Sequence, residues 1–154
     1  SLIQDWKWLI KSDVTFETIT AMGDLIVKEN DGTYHYLDTI EAKYFKVAES
    51  KEKYDSLIED RTFRQNYLQY WTVALLIEEE ITLEENQCYS PGIPVHLGGE
   101  LDEDNIKVTD IYVHFSITGQ TWFQTKDLKP GTVRKNIEIK DEKKGFFAKL
   151  FGMK

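Results

Sequence analysis

The chain has 154 residues, 41% of them apolar, and 27 Asp and Glu against 19 Lys and Arg give it a formal charge of −8. Eight Phe, eight Tyr and four Trp supply core material for one domain of this length and exclude disorder of the whole chain. The single Cys88 excludes an intramolecular disulfide and a multi-cysteine zinc site and fits a reducing compartment, and no apolar run nears the roughly 20 residues that span a bilayer. No n-region and h-region pattern opens the chain, so the expected location is the cytoplasm.

The opening segment places Ile3, Trp6 and Ile10 at helical spacing, with Leu2 and Leu9 close to the same face, and predicts a short docking helix. Val14 to Thr20 alternates as a strand does, and Asp24 to Glu29 reads as its neighbour after Gly23. Asn30-Asp31-Gly32 is a hairpin turn, because Asp-Gly favours the positive φ that matches strand twist. Thr33 to Asp38 returns as the partner, and Ala42 to Ala48 extends the set into an antiparallel meander.

The period then changes. Ser50 is placed to cap a helix over Lys51 to Ile58. Asp60 heads a second helix, with Phe63, Tyr67, Tyr70, Trp71, Ala74 and Leu75 on one face, and both helices are expected to cover the sheet. Cys88 to Pro94 and Leu97 to Glu100 carry two prolines and three glycines and predict an irregular connection, followed by a short strand from Asn105 to Val108. Ile111 to Leu128 fits both a strand and a helical period. Helix is preferred, with Asp110 as cap and Leu128-Lys129-Pro130-Gly131 as stop, and Thr132 to Ile139 is a last strand candidate. The fold class is α+β: an antiparallel sheet meander covered by helices, as one domain over residues 1–140 with a tail over 141–154.

The charge is placed unevenly. No Lys or Arg occurs between Arg64 and Lys107, while Glu78, Glu79, Glu80, Glu84, Glu85, Glu100, Asp102, Glu103 and Asp104 fall in that gap, so the rest of the chain is close to neutral. Such a stretch is either a solvated face or a surface offered to a basic partner, and it argues against direct nucleic-acid binding. The last twelve residues are of another kind. Phe146, Phe147, Leu150 and Phe151 share a helical face among Lys143, Lys144, Lys149 and Lys154, a pattern that suits docking on the protein's own body, a flexible tail, or contact with a membrane.

A search for chemistry returns little. Cys88 with His96 or His114 has the ingredients of a thiol nucleophile, but nothing in the sequence brings them together. His35, His96 and His114 lack metal-ligand spacing, and His35 and His114 read as packing residues. Asp102-Glu103-Asp104-Asn105 lacks the Gly and the closing Glu of a calcium loop. Leu97-Gly98-Gly99-Glu100 lacks the spacing and the Lys of a phosphate cradle. No catalytic residue, metal or cofactor is predicted.

Leu97-Gly98-Gly99-Glu100, Asp110 with Val113-His114-Phe115-Ser116-Ile117, Gly119-Gln120 and Lys126 to Thr132 together resemble the C-terminal domain of the type VI secretion DNase-immunity proteins, and Cys88-Tyr89 fits as well. Met22-Gly23-Asp24-Leu25 and Tyr34-His35-Tyr36-Leu37-Asp38-Thr39 are similar to the end of the GAD-like region that precedes that domain, and more loosely to the SUKH-like immunity superfamily. Within the domain, 14–80 is the GAD-like part and 84–132 the C-terminal part. The resemblance implies a protein that binds and blocks a cognate toxin, a basic nuclease, without catalysis. Glu84, Glu85, Glu100, Asp102, Glu103 and Asp104 are the expected partner-facing residues, and Gly98, Gly99, Gly119 and Pro130 are expected to set backbone shape. The alternative is a peripheral scaffold or adaptor that uses Phe146, Phe147, Leu150 and Phe151 to oligomerise or to meet a membrane.

Overall fold

A computed structural model describes residues 1–132 and 136–140. Its first half is the predicted meander: β1 (Val14–Ile19), β2 (Leu25–Glu29), β3 (Tyr34–Asp38) and β4 (Lys43–Ala48) form one antiparallel sheet in chain order. The β2–β3 hairpin closes as Asp31-Gly32 predicts: Gly32 sits at φ 89°, and the Asp31 carboxylate accepts from the Thr33 amide at 2.9 Å.

Leu25, Ile26 and Val27 are all fully buried, so β2 needs cover on both faces. Side-chain alternation divides that cover. Leu25, Val27 and Leu37 pack against Leu2, Ile3, Trp6 and Ile10 of the opening segment and Ile111 and Phe115 of a late helix. On the opposite face Ile26, Tyr34, Tyr36 and Ala48 meet Tyr54 and Phe63, and the Tyr34 and Tyr54 rings stack at 4.4 Å. The fold is therefore α+β, with the meander held between two covering layers.

The opening segment docks as expected, but its helix is one 3₁₀ turn, Gln4–Trp6. α1 (Lys51–Glu59) starts at Ser50, whose hydroxyl accepts from the Lys53 amide at 3.3 Å. α2 (Arg61–Asn66) starts at Asp60, which accepts from the Phe63 amide at 2.8 Å. The second helix differs from expectation. It breaks after Tyr67, because Gln69 adopts a left-handed conformation at φ 50°, and a separate α3 (Tyr70–Glu78) begins there. The break divides the predicted apolar stripe: Phe63 and Tyr67 pack on the sheet, whereas Tyr70, Trp71, Ala74 and Leu75 face outward.

The connection predicted to be irregular is in part a strand. β5 (Gln87–Pro91) pairs antiparallel with β6 (Ile106–Asp110), and Pro91 is tolerated at the end of its ladder, where no further amide is needed. α4 (Ile111–Thr125) resolves the competing periods in favour of helix, since Asp110 accepts from the Tyr112 and Val113 amides at 2.8 and 3.2 Å. Gly119 lets α4 approach the opening segment, because a Cβ there would lie 2.7 Å from the Asp5 carbonyl oxygen. Of the last strand candidate, Thr132 to Ile139, residues 133–135 lie outside the described residues, and residues 136–140 join no ladder. Gln120 and Gln124 each clasp their main chain in place of a neighbouring strand: Gln120 donates to the Lys140 carbonyl at 2.7 Å and accepts from its amide at 2.6 Å, and Gln124 does the same at Glu138, at 2.6 and 3.0 Å. Ile137 and Ile139 are thereby buried against Ile117. The apolar tail residues Phe146, Phe147, Leu150 and Phe151 lie outside the described residues.

Candidate partner-binding surface

The six acids expected to face a partner are all exposed: Glu84, Glu85, Glu100, Asp102, Glu103 and Asp104. They do not form one cluster. Glu84 and Glu85 precede the Gln87 end of β5, and the other four precede the Ile106 end of β6, paired with Pro91. Four steps of ladder, about 13 Å, therefore lie between the two groups. Among the described residues, none of the nine acids between Glu78 and Asp104 forms an ion pair.

The loop that carries Glu100 to Asp104 is fixed by Asn105, a residue with no signal of that role in the sequence. Its side chain accepts from the Ile93 amide at 2.8 Å and donates to the Ile93 and Glu100 carbonyls at 2.9 and 2.7 Å. Asp102 accepts from the Asn105 amide at 3.0 Å, so this acid also closes its own turn. Gly99 passes so close to the Ile93 carbonyl that any side chain would overlap it, and Gly98 sits at φ 99°. The Gly-Gly-Glu segment is a rigid mount for carboxylates rather than a phosphate cradle.

Beneath this surface lies a polar cluster that sequence reasoning also misses. His114 is buried between β5 and the turn before β2. Its Nε2 lies 2.8 Å from the Gly23 carbonyl oxygen and its Nδ1 2.7 Å from Ser90 Oγ. A carbonyl only accepts, so Nε2 carries the proton and Nδ1 accepts from the Ser90 hydroxyl. Burial holds the ring neutral, with its pKa lowered to about 4. Thr39 Oγ stands 3.1 Å from Nε2 and reaches Asp24 at 3.0 Å, and the Thr39 amide donates to Asp24 at 2.8 Å. Gly23, at φ 81°, leaves the space that the His114 ring fills, so the Gly-Asp step is a packing device as well as a turn.

Serine, histidine and aspartate in series are the parts of a hydrolase triad, but Ser90, His114 and Asp24 are 6%, 1% and 3% exposed. No substrate reaches them, and the cluster's role is to join the meander, β5 and α4. Cys88 is fully buried in the same core, and burial pushes its thiol up to about 12. A neutral thiol closed to solvent is a packing group. His96 lies flat on Trp122 with ring centroids 4.0 Å apart, and His35 stacks on Tyr44 at 5.1 Å. Among the described residues no group of three His, Cys, Asp or Glu could hold a metal ion, and no helix is long and apolar enough to cross a membrane.

No curated protein matches the chain. Residues 48–121 match the family model for the C-terminal part of T6SS immunity protein Tdi1, a segment that runs from the end of β4 to Thr121 in α4 and contains all nine of the unpaired acids. Met22 to Thr39 and Lys126 to Thr132, which share the likeness in sequence, lie outside the match. Over residues 48–121, just under half of its length, the chain is thus similar to the C-terminal part of T6SS immunity protein Tdi1.

Proposed function

We propose that this protein binds a cognate nuclease toxin through its acidic surface and neutralises it inside the producing cell, with no catalysis of its own. The observation that carries the reading is that the segment matching an immunity-protein family contains the stretch between Arg64 and Lys107, which holds nine acids and no Lys or Arg. A nuclease must present a basic surface to phosphate, and carboxylates left without ion partners attract such a surface and occupy it. Glu84 and Glu85 contribute at one end of the β5–β6 ladder, and Glu100, Asp102, Glu103 and Asp104 at the other. Two separated anchors suit a groove, which engages an extended surface, better than a single contact point.

The test replaces charge and keeps shape. E100Q/E103Q/D104N leaves Asp102 to close its turn and is expected to fold as the unmodified chain does. Its association rate with the inactive nuclease domain of a candidate type VI effector should fall about tenfold at low ionic strength, with a flatter dependence on salt. Unchanged association at low salt would remove this loop from the interface. E84Q/E85Q assays the other end in the same way.

A further inference from the structure

We infer that the groove between the opening segment and α4 receives residues 141–154 of this same chain, which lie outside the described residues, with Phe146, Phe147, Leu150 and Phe151 seated on Trp8 and Phe123. The groove has a volume of about 430 Å³ and is lined by Asp5 and Trp8 from the opening segment, Gln120 and Phe123 from α4, and Glu138 and Lys140. Its apolar lining is aromatic: the Trp8 and Phe123 ring centroids stand 6.3 Å apart, and Phe123 is 54% exposed. Aromatic walls with a few polar groups among them suit a binding groove of this size.

The chain is delivered to this groove by its own hydrogen bonds. Gln120 and Gln124 lie one helical turn apart, about 6 Å along α4. They hold the main chain of Lys140 and Glu138, two extended residues apart and so separated by about the same distance. The segment therefore runs antiparallel to α4. Ile137 and Ile139 are buried against Ile117, so alternation turns Glu138 and Lys140 the other way, where both line the groove. Asp141 thus starts at the rim. The five residues from Asp141 to Gly145 span at most about 17 Å. Gln120 and Phe123 are only about 4.5 Å apart along the helix, so Phe146 is within reach of Phe123.

The tether chooses the occupant. A segment joined to its site by a short linker is present there at a roughly millimolar effective concentration, above that of a free partner or a second copy in dilute solution. Charge agrees without deciding. Residues 141–154 carry Lys143, Lys144, Lys149 and Lys154 against Asp141 and Glu142, and the groove carries Asp5 and Glu138 against Lys140. Asp5 accepts from the Ser116 hydroxyl at 2.7 Å, while Glu138 has no ion partner among the described residues. Beside Phe123, Lys126 lies 5.5 Å from the ring centroid and is already paired with Asp127 at 2.6 Å. The shared helical face of Phe146, Phe147, Leu150 and Phe151 supplies the apolar surface that the two rings lack.

The full chain, isotope-labelled and dilute, is compared by NMR with F123S and with F146S/F147S/L150S/F151S. Docking predicts nuclear Overhauser contacts from the Leu150 methyls to the Trp8 or Phe123 ring within a monomer, and a shifted Trp8 indole proton in the tail variant. Each variant should lower the melting temperature by about 2–4 °C, and the two combined by no more than either alone, because both remove the same contact. Absence of any contact between the tail and either ring, with melting losses that add, overturns the inference. Contacts found only between differently labelled copies overturn it in favour of exchange with a second copy. A tail that makes no contact with the groove but carries the chain onto vesicles of anionic phospholipid overturns it in favour of a membrane anchor.

Discussion

Trp6→Ala is expected to lower the unfolding free energy by about 3–5 kcal/mol, a large share of the total that a domain of this size possesses. Trp6 is fully buried, and its indole fills the space between the meander and α4, in contact with Leu25, Val27 and Phe115 among others. Its Nε1 donates to the Phe115 carbonyl at 2.9 Å, so it also sets the height of α4 over the sheet. Deletion leaves a cavity that neighbours on three elements cannot close together. The Phe115 carbonyl, within a helix, keeps its helical partner, so the loss comes from packing rather than from an orphaned acceptor. Urea unfolding measures it. Trp71→Ala, at an exposed position, is the control and should change stability by no more than about 0.5 kcal/mol. A cost for Trp6→Ala below about 1 kcal/mol would show that the opening segment is not part of the core.

Asp24→Asn should stabilise the protein, and increasingly so as pH rises. Asp24 is 3% exposed, and burial raises its pKa to about 7. Proton counting supports the direction. The Tyr36 hydroxyl lies 2.7 Å from Asp24 Oδ2 and 3.0 Å from the Tyr67 carbonyl oxygen, and it has one proton for two acceptors. A protonated Asp24 resolves this by donating to Tyr36, which then donates to Tyr67. The folded state therefore holds a proton between about pH 4 and 7 that the unfolded chain has released, and that stabilisation is lost as pH climbs through 7. His114 acts in the opposite sense. Its lowered pKa means stability present above about pH 6.5 and lost as pH falls towards 4. The two partly cancel between pH 4 and 6.5. Asparagine supplies the same donor to Tyr36 and the same acceptor to Thr39 without a titration. The difference in unfolding free energy between Asp24→Asn and the unmodified chain should grow by about 2–4 kcal/mol from pH 5 to pH 8. A pH-independent difference would mean that Asp24 is ionised throughout.

Local chemistry makes much of this fold readable in the sequence. Asp31-Gly32, Ser50, Asp60 and Asp110 each act within three residues of themselves, and each turn or helix start they predict is present. The expectations that fail depend on partners far along the chain. The helix from Asp60 reads as continuous because no Pro or Gly interrupts it, and the break at Gln69 is a backbone conformation that carries no composition signal. Cys88 to Pro91 reads as loop because of its proline, yet it pairs with β6 some 20 residues away. The acids are visible as a gap in cations, but their division between two ends of a ladder depends on strand pairing. His114 reads as a packing residue, and its bonds to Gly23, Thr39 and Ser90 span 24 to 91 residues. The outward face of α3 is legible as a stripe but not as a surface, because periodicity names a face and not what covers it.

The most direct test of the immunity reading is neutralisation itself. The chain, purified, is added at increasing ratios to a candidate type VI nuclease toxin in active form, and degradation of a DNA duplex is followed together with the stoichiometry of any complex. A family match over residues 48–121 and exposed acids without ion partners predict a stable complex of defined stoichiometry and a nuclease titrated to silence at that ratio. DNA degradation that continues undiminished at a large excess of the chain, with no complex formed, would contradict it.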